Sequence, residues 1–480
     1  MRSLHRNRIL TIGLAMLTVL TTATWAQVER VEDLTYPPLP EVKIPQPTRV
    51  VLPNGMVVFL IEDHELPLVG VSAKIRTGAR LEPVDKVGLA GLTGTVLRSG
   101  GTTTRSGNAL DDYLEGKAAS VETSIGQSSG SAAMSCLAED FPEVLKVFGD
   151  VLRHPAFDPE KLAIAKNQVI AGIARQNDNP GSIVSREYRK LIYGKDSPYA
   201  RQETYATVRA ITREDLVAWH KKYFHPNRII LGLVGDFQTD KALALVKEVF
   251  GDWKPGPTFA DPEVPYQTQG AGSVFYVEKN DMTQAKIVMG HLGLMRTHPD
   301  YYPVVIMNQI LSGSFGARLF SNVRSKKGLA YDVYGAVGFG WDYPGSASLS
   351  MSTKTETTGP GIDALLEEVH KIMETEPPTE EEVSNAKAGI LNSFVFSVDS
   401  PGKVLGKVLV YEYYGYPLDW LTRFRKGIEQ VTTEQVRKAA RTHLRPERFA
   451  ILVVGPREGT KPALARYESV TELDISIPES

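Results

Sequence analysis

The chain has 480 residues, 42% hydrophobic and 23% charged, with a formal net charge of −2. At roughly 150 residues per domain this is room for two to four globular domains, each able to bury a core. Nothing in the charge balance points to nucleic acid, no basic run points to an anionic membrane surface, and a lone cysteine, Cys136, excludes an intrachain disulfide and a Cys-rich zinc site.

Arg2, Arg6 and Arg8 precede an apolar run from Ile9 to Leu20, too short to span a bilayer, and Thr24-Trp25-Ala26 supplies a small–x–small cleavage site. Residues 1–26 are therefore expected to be a secretory signal peptide, with an uncleaved anchor as the alternative. An exported chain without disulfides fits a bacterial periplasm. Residues 27–48 are Pro-rich and expected to run extended.

Structure is expected from Arg49. Two apolar runs flank Pro53-Asn54-Gly55, a hairpin signal. A strand is expected over Val69 to Arg76. Helices are expected over Val87 to Leu97, Phe141 to Leu152, Pro159 to Gln176, and Ile211 to Tyr223 with Thr212 as N-cap. A buried strand over Arg228 to Val234 closes this half. Residues 254–272, dense in Pro and Gly, read as a linker. Strands over Ser273 to Glu278 and Ala285 to Leu292 then open a second half.

Ser312 to Tyr334 combines a helix and a strand. Leu319, Phe320 and Val323 recur at helical spacing, Lys326 and Lys327 suit a helix C-terminus, and Gly328 suits its left-handed cap. Arg324 falls in the last turn, and Tyr331 is expected to open the following strand. Such a turn can aim a guanidinium and a phenol at one carbonyl or oxyanion. On spacing alone, a plain helix cap with a core tyrosine is the commoner reading, because many helices end this way. The 23 residues after Arg457 are polar and expected to be loosely held.

The two halves are copies. Ile211 to Gly235 and Val431 to Gly455 align without a gap at an offset of 220 residues. Thr212/Thr432, Glu214/Glu434, Pro226/Pro446, Arg228/Arg448, Val234/Val454 and Gly235/Gly455 match, so helix, Pro-x-Arg, buried strand and Gly stay in register. This period suits two tandem α+β domains, placed at 49–253 and 273–457, with a tail at 458–480.

From about Arg49 to Pro456 the chain resembles the pitrilysin/insulinase class of zinc peptidases, in the branch of the processing peptidases. The resemblance rests on the order of landmarks: LPNGMVVFLIED; Gly78, Arg80 and Glu82 before Gly88-Leu89-Ala90; Tyr193-Gly194 and Pro198-Tyr199; ITREDL with HPNRIILGLVGD; and Arg318-Leu319-Phe320 with VRSKKGLAY. It implies two homologous domains, each a mainly antiparallel sheet covered by helices, together forming half of a clam-shell chamber. It also implies a substrate-contacting role for Arg324 and Tyr331.

The chain departs from the family at the metal. Active members follow Gly-Leu-Ala with His-x-x-Glu-His, two ligands and a base on one helical face. Gly91, Gly94 and Thr95 stand there instead, and no Glu near Ala171 supplies the third ligand. No two of the nine His are spaced i, i+4 around a Glu, and His220, His225 and His370 suit ordinary surface or core roles. The resemblance therefore implies a non-catalytic subunit that binds no metal itself. It would pair with a homologous zinc-bearing subunit and offer Arg324 and Tyr331 to that partner's site for hydrolysis of oligopeptides or unfolded segments. A dead homologue acting as scaffold or peptide-binding module, and a self-sufficient enzyme with an unrelated site, are the other classes.

Overall fold

The Pro53-Asn54-Gly55 turn joins β1 (Thr48–Val51) to β2 (Val57–Glu62), with Val51 opposite Val57. Gly55 supplies the positive φ (87°) that the turn needs. The Asn54 amide is buried and donates to the Phe250 carbonyl at 2.7 Å, tying the turn to a distant helix end. These coordinates are a computed structural model that describes residues 44–258 and 272–478. The expected signal peptide (1–26) and most of the Pro-rich segment (27–48) and linker (254–272) lie outside the described residues.

The strands β3 (Leu68–Ile75), β4 (Ser120–Ile125), β5 (Gly130–Leu137) and β6 (Ile229–Gly235) complete a six-stranded sheet of order β1-β2-β6-β3-β5-β4. A second set comprises β7 (Val274–Glu278), β8 (Gln284–Leu292), β9 (Leu294–Met295), β10 (Val333–Val337), β11 (Phe339–Gly340), β12 (Ser346–Lys354), β13 (Ala450–Gly455) and β14 (Val470–Glu472). It forms a sheet of order β10-β12-β8-β13-β7-β14, with β9 and β11 paired separately. Each large sheet contains a parallel pair, β2 with β6 and β7 with β13; β14 also runs parallel to β7, and the remaining pairs are antiparallel. The copy extends to register: Glu62 faces Gly235 and Glu278 faces Gly455. The helices before β6 and β13, Arg213–Tyr223 and Thr433–His443, both begin with a capping box, Thr212 with Asp215 and Thr432 with Gln435. The fold is thus α+β, two homologous mainly antiparallel sheets each covered by helices.

Two helices cross between the halves. Helix Pro180–Tyr193 packs on β8 and β13, while helix Pro401–Tyr414 packs on β2, β3 and β6. Leu405 and Leu409 of the latter sit against Gly232 in β6, where any side chain would collide with them. Polar ties fix the same seams. The Tyr188 hydroxyl donates to the Ala347 carbonyl at 2.7 Å, and the Tyr413 hydroxyl donates to the Ser128 carbonyl at 2.6 Å. Arg49 forks onto the Glu412 carboxylate.

Two local expectations need correction. The strand after Gly328 begins at Val333, so Tyr331 lies in the connecting loop rather than opening the strand. Residues 458–478 are not loosely held. They form helix Arg457–Leu464, with Thr460 and Leu464 buried, and then the edge strand β14, which pairs parallel with β7. Leu473 and Ile475 continue onto the core beneath helix Pro180–Tyr193, and Asn177 donates to the Ile475 carbonyl at 2.7 Å. A few well-placed apolar residues anchored a segment whose average polarity suggested otherwise.

Candidate functional site

Helix Leu89–Ser99 starts where its N-terminal amides meet a carboxylate. The Glu82 side chain accepts from the backbone N–H of Gly88 at 3.2 Å and of Ala90 at 2.6 Å. Glu82 is buried, and burial pushes its carboxyl up to about 7; the two amides pull it back less, Glu203 adds to the rise and Arg201 opposes it. The helix lies against β4 and against helix Pro159–Ala174. Gly91 and Thr95 fall on its more open stripe and Gly94 on its buried side. A Cβ on Gly91 would meet nothing within 4 Å. A Cβ on Gly94 would lie 2.8 Å from the Ser124 carbonyl carbon and closer still to the Ile125 amide nitrogen. The Gly94 carbonyl accepts from the Thr123 hydroxyl at 2.6 Å. Ala171 sits exposed near the end of the neighbouring helix. Two glycines, a threonine and an alanine offer no metal ligand of the required type, and backbone occupies the room a base would need. The residues present do not fit a zinc ion on this helix.

In the second half, residues Phe320–Lys326 wind as a π-helix, with the Lys327 N–H reaching the Asn322 carbonyl at 3.1 Å. Gly328 takes the expected left-handed cap (φ 63°), and its N–H reaches the Arg324 carbonyl. The wide turn is pinned from below by the fully buried Glu368, which accepts from the Asn322 amide at 2.7 Å and from Lys371 at 3.0 Å. Lys327 pairs with Glu367, which together with Lys371 holds the Glu367 carboxyl down at about 2. Arg318 forks onto Glu382, both bonds 2.7 Å.

Above this base the structure brings Arg324 and Tyr331 together. The guanidinium carbon lies 4.4 Å from the Phe320 ring centroid and 5.1 Å from that of Tyr331. The guanidinium makes no hydrogen bond or ion pair among the described residues, so its donors remain available. Tyr331 is 74% exposed, which excludes the core-tyrosine alternative. Phe315, 79% exposed, packs edge-on against Phe320 at 4.8 Å, and Tyr334 is also exposed. Helical spacing did not reveal this aromatic surround or the π-turn beneath it. Phe315 and Phe320, flanking Arg318 at i−3 and i+2, were the available signal.

The histidines largely behave as expected. His220 is paired to the Leu152 carbonyl at 2.8 Å, and burial lowers its ring to about 4; His370 is solvated beside Glu374. One grouping was not legible in the sequence: His298, Asp300 and His443 bring one potential ligand atom each within 4.8 Å of one another. Asp300 donates its backbone N–H to His298 Nδ1 at 3.1 Å, which leaves the proton of the neutral ring on Nε2, and Asp300 accepts from His443 Nε2 at 2.8 Å. The cluster's internal hydrogen bonds join the C-terminus of helix Thr433–His443 to the N-terminus of helix Tyr301–Ser312.

A duplicated α+β chain with a helix that lacks metal-ligand side chains in its first half, and in its second an arginine on an aromatic shelf with no hydrogen-bond partner among the described residues, is a peptidase-type fold without its metal motif. Residues 57–201 match the sequence model of "Insulinase (Peptidase family M16)", and residues 210–390 match that of the "Peptidase M16 inactive domain". The chain belongs to this peptidase M16, or insulinase, family. It is 24% identical to the "Uncharacterized zinc protease YmxG" of Bacillus subtilis over 85% of this chain and 98% of that one. It is 23% identical to the "Non-peptidase homolog YmxG" of Helicobacter pylori over 84% and 93%. Among solved structures, a peptidase M16 inactive domain from Pseudomonas fluorescens superposes with a TM-score of 0.76 at 27% identity, covering 86% of this chain and 98% of that one.

Proposed function

We propose that this chain is the non-catalytic, substrate-holding subunit of a heterodimeric zinc metallopeptidase. The partner is a homologous subunit that carries the zinc and its base. The observation that carries the proposal is the pairing of a helix that cannot hold metal with a half-buried Arg324 that has no hydrogen-bond or ion-pair partner among the described residues and lies beside the exposed Tyr331. A guanidinium buttressed by Phe320 and Tyr331 is preorganised. It loses little side-chain freedom when it binds a peptide carbonyl, and it stabilises negative charge growing on that oxygen. The Tyr331 hydroxyl supplies a second donor from the same loop. Substrates are oligopeptides or unfolded segments, and the basic, apolar leader at 1–26 suits export to a periplasm. Zinc belongs to the partner, and the proton transfers of hydrolysis occur on the partner's residues.

The test is steady-state cleavage of a fluorogenic peptide by the reconstituted pair. An Arg324→Ala, Tyr331→Phe double variant that assembles normally but has lost turnover supports the proposal. Full turnover by that assembled variant favours the second reading, a scaffold or peptide-binding module, to which the exposed aromatic rim of Phe315, Tyr331 and Tyr334 also lends itself.

A further inference from the structure

Helix Pro401–Tyr414 turns Val404, Leu405, Val408 and Leu409 onto the first sheet, so its opposite face, Lys403, Gly406, Lys407 and Val410, looks away from that core. This face is one wall of an open cavity of about 480 Å³. The Arg296 loop, Trp341 and the Phe396 loop are the other walls. Three cations line it and no carboxylate does. Lys403 is already paired to Asp399 at 2.8 Å. Arg296 stacks on Trp341, its guanidinium carbon 4.1 Å from the ring centroid, and spends one N–H on the Tyr301 hydroxyl at 3.0 Å. Its Nε is buried and has no partner. Lys407 makes no hydrogen bond or ion pair among the described residues. Burial and the charges of Arg296 and Lys403 all act to lower its affinity for a proton.

Two unneutralised cations at one cavity are unfavourable unless something anionic visits. Beside them is apolar surface out of proportion to a soluble exterior: Phe396 is 70% exposed, and the Trp341 ring forms a wall. Gly406, at the middle of the helical face, leaves the floor open, since a Cβ there would meet nothing within 4 Å.

We propose that this cavity is a subsite for a carboxylate with an adjoining apolar side chain. The carboxylate sits between Lys407 and the Arg296 guanidinium, and the apolar group rests on Trp341 and Phe396. The preference for an anion follows from the charges alone. That the carboxylate belongs to a peptide, as its C-terminus or as an Asp or Glu side chain, rests on the substrate-holding role proposed above.

The experiment measures binding to the full chain by calorimetry with three probes: N-acetyl-phenylalanine, a peptide ending in Phe with a free or amidated C-terminus, and the amidated peptide with an internal Glu or Gln. The variants are Lys407→Met and Gly406→Leu. The second fills the floor without touching a charge and improves helix propensity, so it preserves the fold. Loss of a charge-assisted hydrogen bond is expected to weaken N-acetyl-phenylalanine by roughly ten- to a hundredfold in Lys407→Met, with a comparable loss in Gly406→Leu. A matching loss on amidation identifies the chain terminus as the source, and a matching loss on Glu→Gln identifies the side chain. If peptides bind but amidation, Gln and both variants change nothing, the subsite is refuted while peptide holding stands. If N-acetyl-phenylalanine binds as expected and no peptide does, the subsite stands and the peptide role fails. Absence of N-acetyl-phenylalanine binding to the unmodified chain overturns the subsite outright.

Discussion

Gly94 faces Ser124 across the contact between helix Leu89–Ser99 and β4, and a methyl group on Gly94 would sit 2.8 Å from the Ser124 carbonyl carbon. The helix is therefore seated on the sheet at a depth that only glycine permits. Gly91, one turn away, faces open space. Two glycines on one helix thus have opposite expected responses to the same substitution. Gly91→Ala should stabilise the chain by about 0.5–1 kcal/mol, the ordinary helix-propensity gain. Gly94→Ala should destabilise it by about 1–3 kcal/mol through overpacking. Urea denaturation of the two variants side by side checks this, and equal effects would show that Gly94 is not a packing position.

The same contact bears on repair of the metal motif. Gly91→His, Gly94→Glu, Thr95→His should yield no zinc-dependent peptidase. The new glutamate has no room, and a third ligand near Ala171 is still missing. Thermal unfolding should report a destabilised fold, and a peptidase assay with added zinc should stay at background. Robust turnover would show that the helix can lift off β4 at little cost.

The unmodified chain is expected to purify without zinc on helix Leu89–Ser99. Metal analysis alone is ambiguous because His298, Asp300 and His443 lie close together. The informative comparison is with His443→Ala. Any zinc that disappears in this variant belongs to that cluster, whereas stoichiometric zinc that persists in it would contradict the expectation for the first half.

Arg324 and Tyr331 should act kinetically in the assembled pair. Arg324→Ala is expected to lower kcat by ~10²–10³, the usual cost of one preorganised donor to an oxyanion. Arg324→Lys should fail nearly as badly, because a compact ammonium neither packs over Phe320 and Tyr331 as a guanidinium does nor presents a fork. Tyr331→Phe keeps the ring that supports the guanidinium and removes only the hydroxyl, so its loss should be smaller than that of Tyr331→Ala. Less-than-additive losses in the double variant would indicate that both donors serve one oxygen. Size-exclusion chromatography verifies assembly in each case.

Glu82 gives the fold a pH dependence of definite sign. Its carboxyl is held at about 7 in the folded chain against 4.5 as the ordinary value, so between these limits the folded state binds the extra proton. Stability from this group is full below about 4.5 and is lost as pH rises through about 7. Glu203, raised by burial, slopes the same way. Glu82→Gln should flatten the fall in melting temperature between pH 5 and 7, leaving the smaller slope due to Glu203. An unchanged slope would place the titrating group elsewhere.

Much of this architecture was legible in the sequence because it is local. Hairpin chemistry at Asn54-Gly55 and the threonine cap at 212 each depend on residues within a turn or two of one another, and short-range geometry fixes them; the 220-residue offset was legible because each copy repeats the same local pattern. The loss of metal ligands was legible for the same reason, since Gly91, Gly94 and Thr95 lack donors of the right type in any fold. The tertiary structure alone decided what depends on distant segments meeting. It showed that Gly94 abuts β4, that helices Pro180–Tyr193 and Pro401–Tyr414 each lie on the other half's sheet, and that Leu464 and Leu473 anchor a polar tail. It also set Arg324 in a π-turn over the buried Glu368, some 40 residues away along the chain, and left Tyr331 outside the strand. Spacing says which residues can share a face, but the free energy of burying one face against another decides which of them meet, and that is settled only when the whole chain packs.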